Sequence, residues 1–145
     1  MLRSAEDALE SAAGNQGMHP TDFRCLGYLL NRNEPVSPRD IIAYLSITSG
    51  ACTALLNRLE TAGYIRRVPN RDDRRSVLIL LDETAAAAPL ALHRQMSADY
   101  TSSLSDMPDA SLEAIAIYLE RVQRLSSAMN EALYRRTGRD DPGAK

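Results

Sequence analysis

Five arginines fall within ten residues, Arg66, Arg67, Arg71, Arg74 and Arg75, separated only by Val68-Pro69-Asn70 and Asp72-Asp73. Guanidinium groups are planar, permanently charged forks that fit phosphate oxygens and guanine edges. Five on so short a segment suit neither a core nor an ordinary solvated turn, and they imply a polyanionic partner. Just upstream stand Ser49, Gly50, Thr53, Asn57 and Arg58. Readout in the major groove of B-DNA needs a helix whose outer face is small or polar, so that its backbone can approach base edges. Thr53 and Asn57 are four residues apart, on one helical face, and Leu55 and Leu59 occupy the opposite one. Ser49 and Gly50 fall where a helix N-terminus would offer free amides to a phosphate. The chemistry these residues suggest is noncovalent recognition of double-stranded DNA. Arg71, Arg74 and Arg75 would meet phosphates or the adjacent minor groove. Asp73 would brace a neighbouring arginine and fix the turn, and Asp72 would be a turn residue.

Charge distribution agrees with that placement. The 145 residues carry a formal net charge of only -2, which excludes a global polycation. Residues 35–75 nevertheless hold seven arginines against four acids, and the remainder ten basic groups against fifteen acids. Positive charge is therefore gathered around one segment. Cys25 and Cys52 lack a C-x-x-C spacing, and no basic flank precedes an apolar run, so neither a disulfide framework nor a signal peptide is expected. A cytoplasmic protein with reduced thiols and no membrane span follows as the default. Cys25 reads as a core filler, and a sensing role for Cys52 has nothing beyond its address on the helix. The two histidines, His19 and His93, read as helix-boundary and surface residues, and no metal or cofactor is expected. No nucleophile–base arrangement, phosphate-cradling glycine loop or carboxylate cluster points to an enzyme.

The elements that must position the arginines can be read from periodicity. Residues 4–13 have a short helical pattern, and Pro20-Thr21-Asp22 opens a second helix with Phe23, Leu26, Leu29 and Leu30 facing a core. Glu34-Pro35-Val36 reads as a turn. Ser37 caps a third helix that has Pro38 at its first position and Ile41, Ile42 and Leu45 as its apolar stripe. After a break at Ser46-Ile47-Thr48, Ala51, Leu55, Leu56 and Leu59 mark a fourth helix that ends at Gly63. Two helices across so short a turn are a helix-turn-helix. Residues 64–68 and 76–81 have strand composition and pair as a hairpin, a β-wing, with the charged turn at its tip. The predicted fold is mainly α with a small β-wing.

Beyond Asp82 the chain is Ala-rich and helical to about Leu104, with Pro89 either kinking that helix or marking where its regular part begins. A final helix follows Met107-Pro108, and Leu112, Ile115, Leu119, Val122, Met129 and Leu133 recur along it at three- and four-residue steps. That stripe needs a partner surface, and a second copy of the chain is the simplest one. The organisation expected is an N-terminal dimerisation helix and linker over 1–19, a DNA-binding lobe over 20–82, dimerisation helices over 83–136 and a disordered tail over 137–145. Ser37, at the start of the third helix, joins the DNA-facing set. The competing reading is a winged-helix module for protein–protein assembly, whose exposed helix face would be apolar rather than carry Ser49, Thr53 and Asn57.

The segment Leu59, Glu60, Gly63, Ile65, Arg67, followed by Asp73, Arg74 and Arg75 and then an apolar strand, resembles the multiple antibiotic resistance regulator (MarR) family. That family carries Leu-Glu-x-x-Gly-x-(Ile/Val)-x-Arg, then Asp-x-Arg-Arg or Asp-Arg-Arg. Met18-His19-Pro20-Thr21-Asp22-Phe23 resembles the opening of the family's second helix, and the last two helices match its dimerisation region. The resemblance implies a winged helix-turn-helix homodimer that binds a pseudopalindromic operator, most often as a repressor. It also implies release by a small aromatic or amphipathic effector, in a cleft to which Tyr28, His93 and Met96 would contribute.

Overall fold

The computed structural model describes residues 2–71, 73 and 75–137. Among these residues, six helices and a hairpin follow in the order α1 (Leu2–Asn15), α2 (Pro20–Arg32), α3 (Pro38–Leu45), α4 (Ser49–Thr61), β1 (Ile65–Pro69), β2 (Val77–Leu81), α5 (Ala87–Ser102) and α6 (Asp109–Thr137). This is the mainly helical architecture with a small wing that the periodicity predicts. The chain forms two compact units, residues 1–95 and 96–145. The tail expected over 137–145 lies outside the described residues except for Thr137, the last residue of α6.

Local chemistry explains where the elements of the first unit start and stop. His19 caps α2 through Nδ1, which accepts from the Thr21 amide at 3.2 Å, and Pro20 fills the first position, where no amide hydrogen is needed. Ser37 caps α3 in a reciprocal capping box: its Oγ accepts from the Asp40 amide, and its own amide donates to Asp40 Oδ2, both at 3.2 Å. Ser46 takes a left-handed conformation and ends α3, and Thr48 then caps α4 by accepting from the Ala51 amide. At the far end of α4 the Gly63 amide donates to Glu60 and the Tyr64 amide to Leu59, both at 2.9 Å. Gly63 sits at φ +78°, so this glycine is the left-handed residue the closing motif requires. Pro89 falls in the first turn of α5, where its missing amide hydrogen breaks no bond, so it marks the start of the helix rather than a kink.

The core of this unit is formed by Cys25, Leu26 and Leu29 of α2, Ile41 and Leu45 of α3, Cys52, Leu55, Leu56 and Leu59 of α4, Ile65 and Ile79 of the hairpin, and Ala86 and Leu90. The buried residues of α4 follow the i, i+3, i+4, i+7 pattern from Cys52, so Ala51, expected in the stripe, is exposed and Cys52 takes the inward position. Val36, expected in a turn, is buried and pairs antiparallel with Ile79 through two backbone bonds of 3.1 and 2.7 Å. The segment leading into α3 is thereby fastened to the second wing strand. A single bridging residue has no alternation for a sequence to display, which is why it reads as a turn.

His93 is half-buried rather than a surface residue. Its ring stacks on Phe23 with centroids 3.8 Å apart, and Nε2–H donates to the Phe23 carbonyl at 2.7 Å. The stack is possible because residue 27 lacks a side chain: a Cβ there would lie 2.6 Å from His93 Cε1 and 2.8 Å from Nδ1. Replacing Gly27 by Ala would gain about 1 kcal/mol of helix propensity. Displacing a ring held by both a stack and a hydrogen bond costs more, and we expect a net loss of about 1–2 kcal/mol. Thermal unfolding of Gly27→Ala checks this, and the double variant Gly27→Ala/His93→Ala should be no less stable than His93→Ala alone. Burial lowers the His93 pKa below its ordinary 6.5, and the bond to Phe23 opposes the shift only partly. Since the folded state disfavours the proton, the contribution of this group is present above 6.5 and is lost as pH falls through the lowered value. The melting temperature of the wild type should therefore drop between about pH 7.5 and 5 by more than that of His93→Gln.

Candidate nucleic-acid interface

Three residues, 46–48, separate α3 from α4, the geometry of a helix-turn-helix. With Cys52, Leu55, Leu56 and Leu59 turned inward, Ser49, Gly50, Thr53, Ala54 and Asn57 are left exposed. The structure brings together on one face four of the residues expected to read DNA, Ser49, Gly50, Thr53 and Asn57, and Ala54 among them adds no bulk. Thr53 donates its hydroxyl hydrogen to the Ser49 carbonyl at 3.0 Å, which leaves its oxygen lone pairs and methyl group to face outward. Ser37 stands apart at the start of α3, half-buried, with its hydroxyl donating to Asp40 Oδ2 at 2.8 Å.

Arg58 lies on the flank of α4 and binds Asp22 of α2 bidentately, Nε to Oδ2 at 2.7 Å and Nη2 to Oδ1 at 2.6 Å. The Asp22 side chain is 6% exposed and that of Arg58 49%. Asp22 is the buried charged residue among those described, and the hydrogen bond to it raises the Arg58 pKa. One edge of the guanidinium is thus committed to holding α4 on α2. The sequence shows Asp22 only as a helix-opening residue; its pairing across 36 positions leaves no local signal.

The wing strands are antiparallel, in a register from Ile65 opposite Leu81 to Pro69 opposite Val77. Its tip is braced by its own backbone and short side chains. The Asn70 amide donates to the Ser76 carbonyl at 3.2 Å and Asn70 Nδ2 to Ser76 Oγ at 3.0 Å, while Ser76 donates through both its amide and its hydroxyl to the Asp73 carbonyl. Asp73 Oδ1 accepts from the Arg75 amide at 3.0 Å. Asp73 therefore fixes the turn as expected, through the backbone of Arg75; among the described residues no ion pair joins it to Arg71 or Arg75. Arg71 and Arg75 are exposed at the tip, and Arg74 and Asp72 lie outside the described residues.

Arg67, on β1, is the residue whose role the sequence conceals. Its Nη1 forms an ion pair with Glu60 of α4, and its Nη2 donates to Asn57 Oδ1 at 2.8 Å. One side chain therefore ties the wing to the exposed face of the helix. Arg66, its neighbour on the strand, points the other way and lies 4.0 Å from Asp82.

The remaining candidates serve other parts of the fold. Tyr28 stacks on Tyr44 with centroids 4.2 Å apart. His93 is held on Phe23, and Met96 is half-buried in the second unit. Both cysteines are buried, and burial, with Cys52 and Asp22 nearby, pushes the Cys25 thiol up to about 12. Burial raises the Cys52 thiol too, against a lowering by Arg67, so both are neutral thiols at physiological pH. Along α6, Leu112, Ile115 and Val122 are half-buried, Leu119 and Met129 are exposed, and the side chain of Leu133 lies outside the described residues. Tyr118 at 65% and Leu125 at 62% add exposed apolar surface that the predicted stripe omits. Among the described residues no helix is long and apolar enough to cross a membrane.

Comparison with known proteins places this arrangement. Residues 16–76, which span α2, the helix-turn-helix, β1 and the wing tip, match the model of the MarR family. The HTH-type transcriptional regulator PecS of Dickeya dadantii is 34% identical over 122 residues, which cover 81% of this chain and 72% of PecS. Among solved structures, the transcription regulator MarR of Oenococcus oeni aligns with a TM-score of 0.64 at 21% identity, over 84% of this chain and 92% of that one. A mutant MarR from Escherichia coli complexed with operator DNA aligns with a TM-score of 0.60 at 24% identity, over 84% and 88%. With the PecS match extending through most of both proteins and the family model covering α4, β1 and the wing tip, the chain belongs to the MarR family.

Proposed function

We propose that this chain is a sequence-specific, double-stranded-DNA-binding transcription regulator that works as a homodimer, most simply as a ligand-responsive repressor. The observation that carries the reading is the exposed face of Ser49, Gly50, Thr53 and Asn57 on α4, with a hydrogen-bonded wing tip bearing the exposed Arg71 and Arg75. That face is polar and small, where a protein-assembly surface would be apolar. Helix contacts would specify bases and wing arginines would fix position on the backbone, with Arg74 as a further phosphate ligand. The PecS relative is named a transcriptional regulator, and the Escherichia coli neighbour was solved with operator DNA, which supports the same assignment here.

Dimerisation is supported by α6. Ile115, Tyr118, Val122, Leu125 and Met129 recur at alternating steps of three and four residues, and Tyr118, Leu125 and Met129 are 65%, 62% and 56% exposed. A seam with this spacing suits a second copy of the same helix. Leu112, Leu119 and Leu133 flank it, and α1 is the N-terminal contribution. Two copies would place their α4 helices in successive major grooves, about 34–36 Å apart on a pseudopalindromic operator. The proposed input is a small aromatic or amphipathic effector, for which Tyr28 and His93 of the first unit and Met96 of the second are each candidate contacts. It must bind the DNA-competent and incompetent states with different affinity to have any effect.

The test is fluorescence anisotropy with the gene's own upstream intergenic DNA against scrambled DNA of equal length, over a salt series. Preference of about a thousandfold or more supports specific regulation. Equal, salt-sensitive binding to both DNAs, or none, would favour the assembly module. Operator affinity unchanged across a panel of aromatic acids and drugs would remove the effector from the proposal.

A further inference from the structure

Resting on the DNA-binding reading, the geometry points to Asn57 as a specificity-determining residue that reads hydrogen-bond acceptors, guanine O6 and N7 foremost, and to Arg67 as the positioning residue that imposes this choice. An asparagine amide carries an acceptor oxygen and a two-hydrogen donor nitrogen, and when free to turn it presents both, the combination that pairs bidentately with adenine N6 and N7. Asn57 is not free to turn. The amide atom facing Arg67 Nη2, at 2.8 Å, must be the oxygen, because a guanidinium donates and never accepts. Arg67 is itself held from its other prong by Glu60, and it is half-buried between strand and helix. With its oxygen drawn back toward β1, the amide leads with the NH2 group on the exposed side of α4.

A donor-only tip discriminates among base edges. Guanine offers two adjacent acceptors in the major groove, thymine and adenine one each, and adenine and cytosine also present an amino donor that the pinned oxygen is poorly placed to accept. Thr53, one turn away on the same face, offers the complementary chemistry. Its hydroxyl hydrogen is spent on the Ser49 carbonyl, so it presents lone pairs and a methyl group. The two side chains thus face the groove with opposite hydrogen-bonding character, four residues apart. Arg67 resembles a phosphate ligand in the sequence because it belongs to the arginine run. Its fork is instead spent inside the protein, where it sets the readout of another residue.

The test is selection of bound sequences from a randomised operator pool by the full-length wild type, Asn57→Ala and Arg67→Met, each checked by circular dichroism to be folded at the selection temperature. Wild type is expected to enrich guanine at one symmetry-related position in each half-site. Asn57→Ala should lose that preference by about 5- to 150-fold, the range of one good base contact. Arg67→Met frees the amide to turn and should admit adenine at the same position, which loss of a phosphate contact would not do. Adenine enriched by the wild type at the Asn57-dependent position, or a base preference unchanged in Asn57→Ala, overturns the assignment while leaving DNA binding intact. A folded wild type that enriches no sequence at all overturns the DNA-binding reading, and this assignment with it.

Discussion

Replacing Arg71 and Arg75 by alanine should reduce operator affinity by about a hundredfold or more at physiological salt, and should flatten the dependence of log affinity on log salt by about three to four units. The second figure follows from counterion release. Each neutralised phosphate contributes a slope of about 0.9, and two arginines in each of two protomers remove about four. The loss can be attributed to charge because, among the described residues, none of the bonds that shape the tip uses either guanidinium. Asn70, Asp73 and Ser76 hold it with backbone and short side-chain bonds, and the part Arg75 plays is its amide hydrogen, which alanine retains. Asp73→Ala provides the converse. It makes the protein more positive, yet it removes the acceptor that fixes the Arg75 amide, and the expected outcome is weaker binding. Anisotropy titrations between about 50 and 200 mM salt measure both. A slope unchanged in the double variant would show that the wing tip does not touch phosphate.

Arg58→Ala should be the most destabilising substitution on the outer side of α4, costing about 3 kcal/mol, the lower end for breaking a buried pair because Arg58 is half-exposed. What makes it costly is Asp22, at 6% exposure, which keeps its burial and loses both bonds to the guanidinium. At fixed protein concentration this is a fall in melting temperature of roughly 10 °C. The asymmetry of the pair is the stronger test. Asp22→Leu/Arg58→Ala, which removes the buried carboxylate as well, should recover much of the loss, because an apolar side chain at position 22 leaves no desolvated charge to satisfy. Equal melting temperatures for Arg58→Ala and the wild type would mean that the pair contributes nothing and that Arg58 is available to DNA instead.

Most of the scaffold is legible in the sequence, for identifiable reasons. Caps and turns are local chemistry: Pro20, Ser37, Thr48, Gly63 and Pro89 each act on atoms within a few residues, and each falls at or beside an element boundary. Helical and strand periodicities locate the core to within one position, and the single slip, Ala51 for Cys52, reflects that both are small apolar residues at neighbouring angles. Contacts between distant residues are what the sequence hides. The bond from Val36 to Ile79, the stack of His93 on Phe23 over Gly27, the pair of Asp22 with Arg58 and the hold of Arg67 on Asn57 all join residues that no spacing rule relates. The same concealment affects the candidate site. Counting arginines finds the polyanion-facing segment but cannot distinguish Arg71 and Arg75, displayed at the tip, from Arg67 and Arg58, whose forks are spent within the protein.

The hold of Arg67 on α4 also bears on how such a regulator can change its target over time. The exposed side chains of Arg71 and Arg75 and the outward position of Thr53 can vary one residue at a time, since none of them supports another. Arg67, Glu60 and Asn57 form a unit in which any single exchange alters both the attachment of the wing and the base being read. Lysine cannot stand in for Arg67, because one ammonium lacks the rigid two-pronged fork that reaches both partners. Retargeting by drift or by design is therefore gradual at Thr53 and stepwise at Asn57, where a new preference requires that the joint beneath it be rebuilt at the same time.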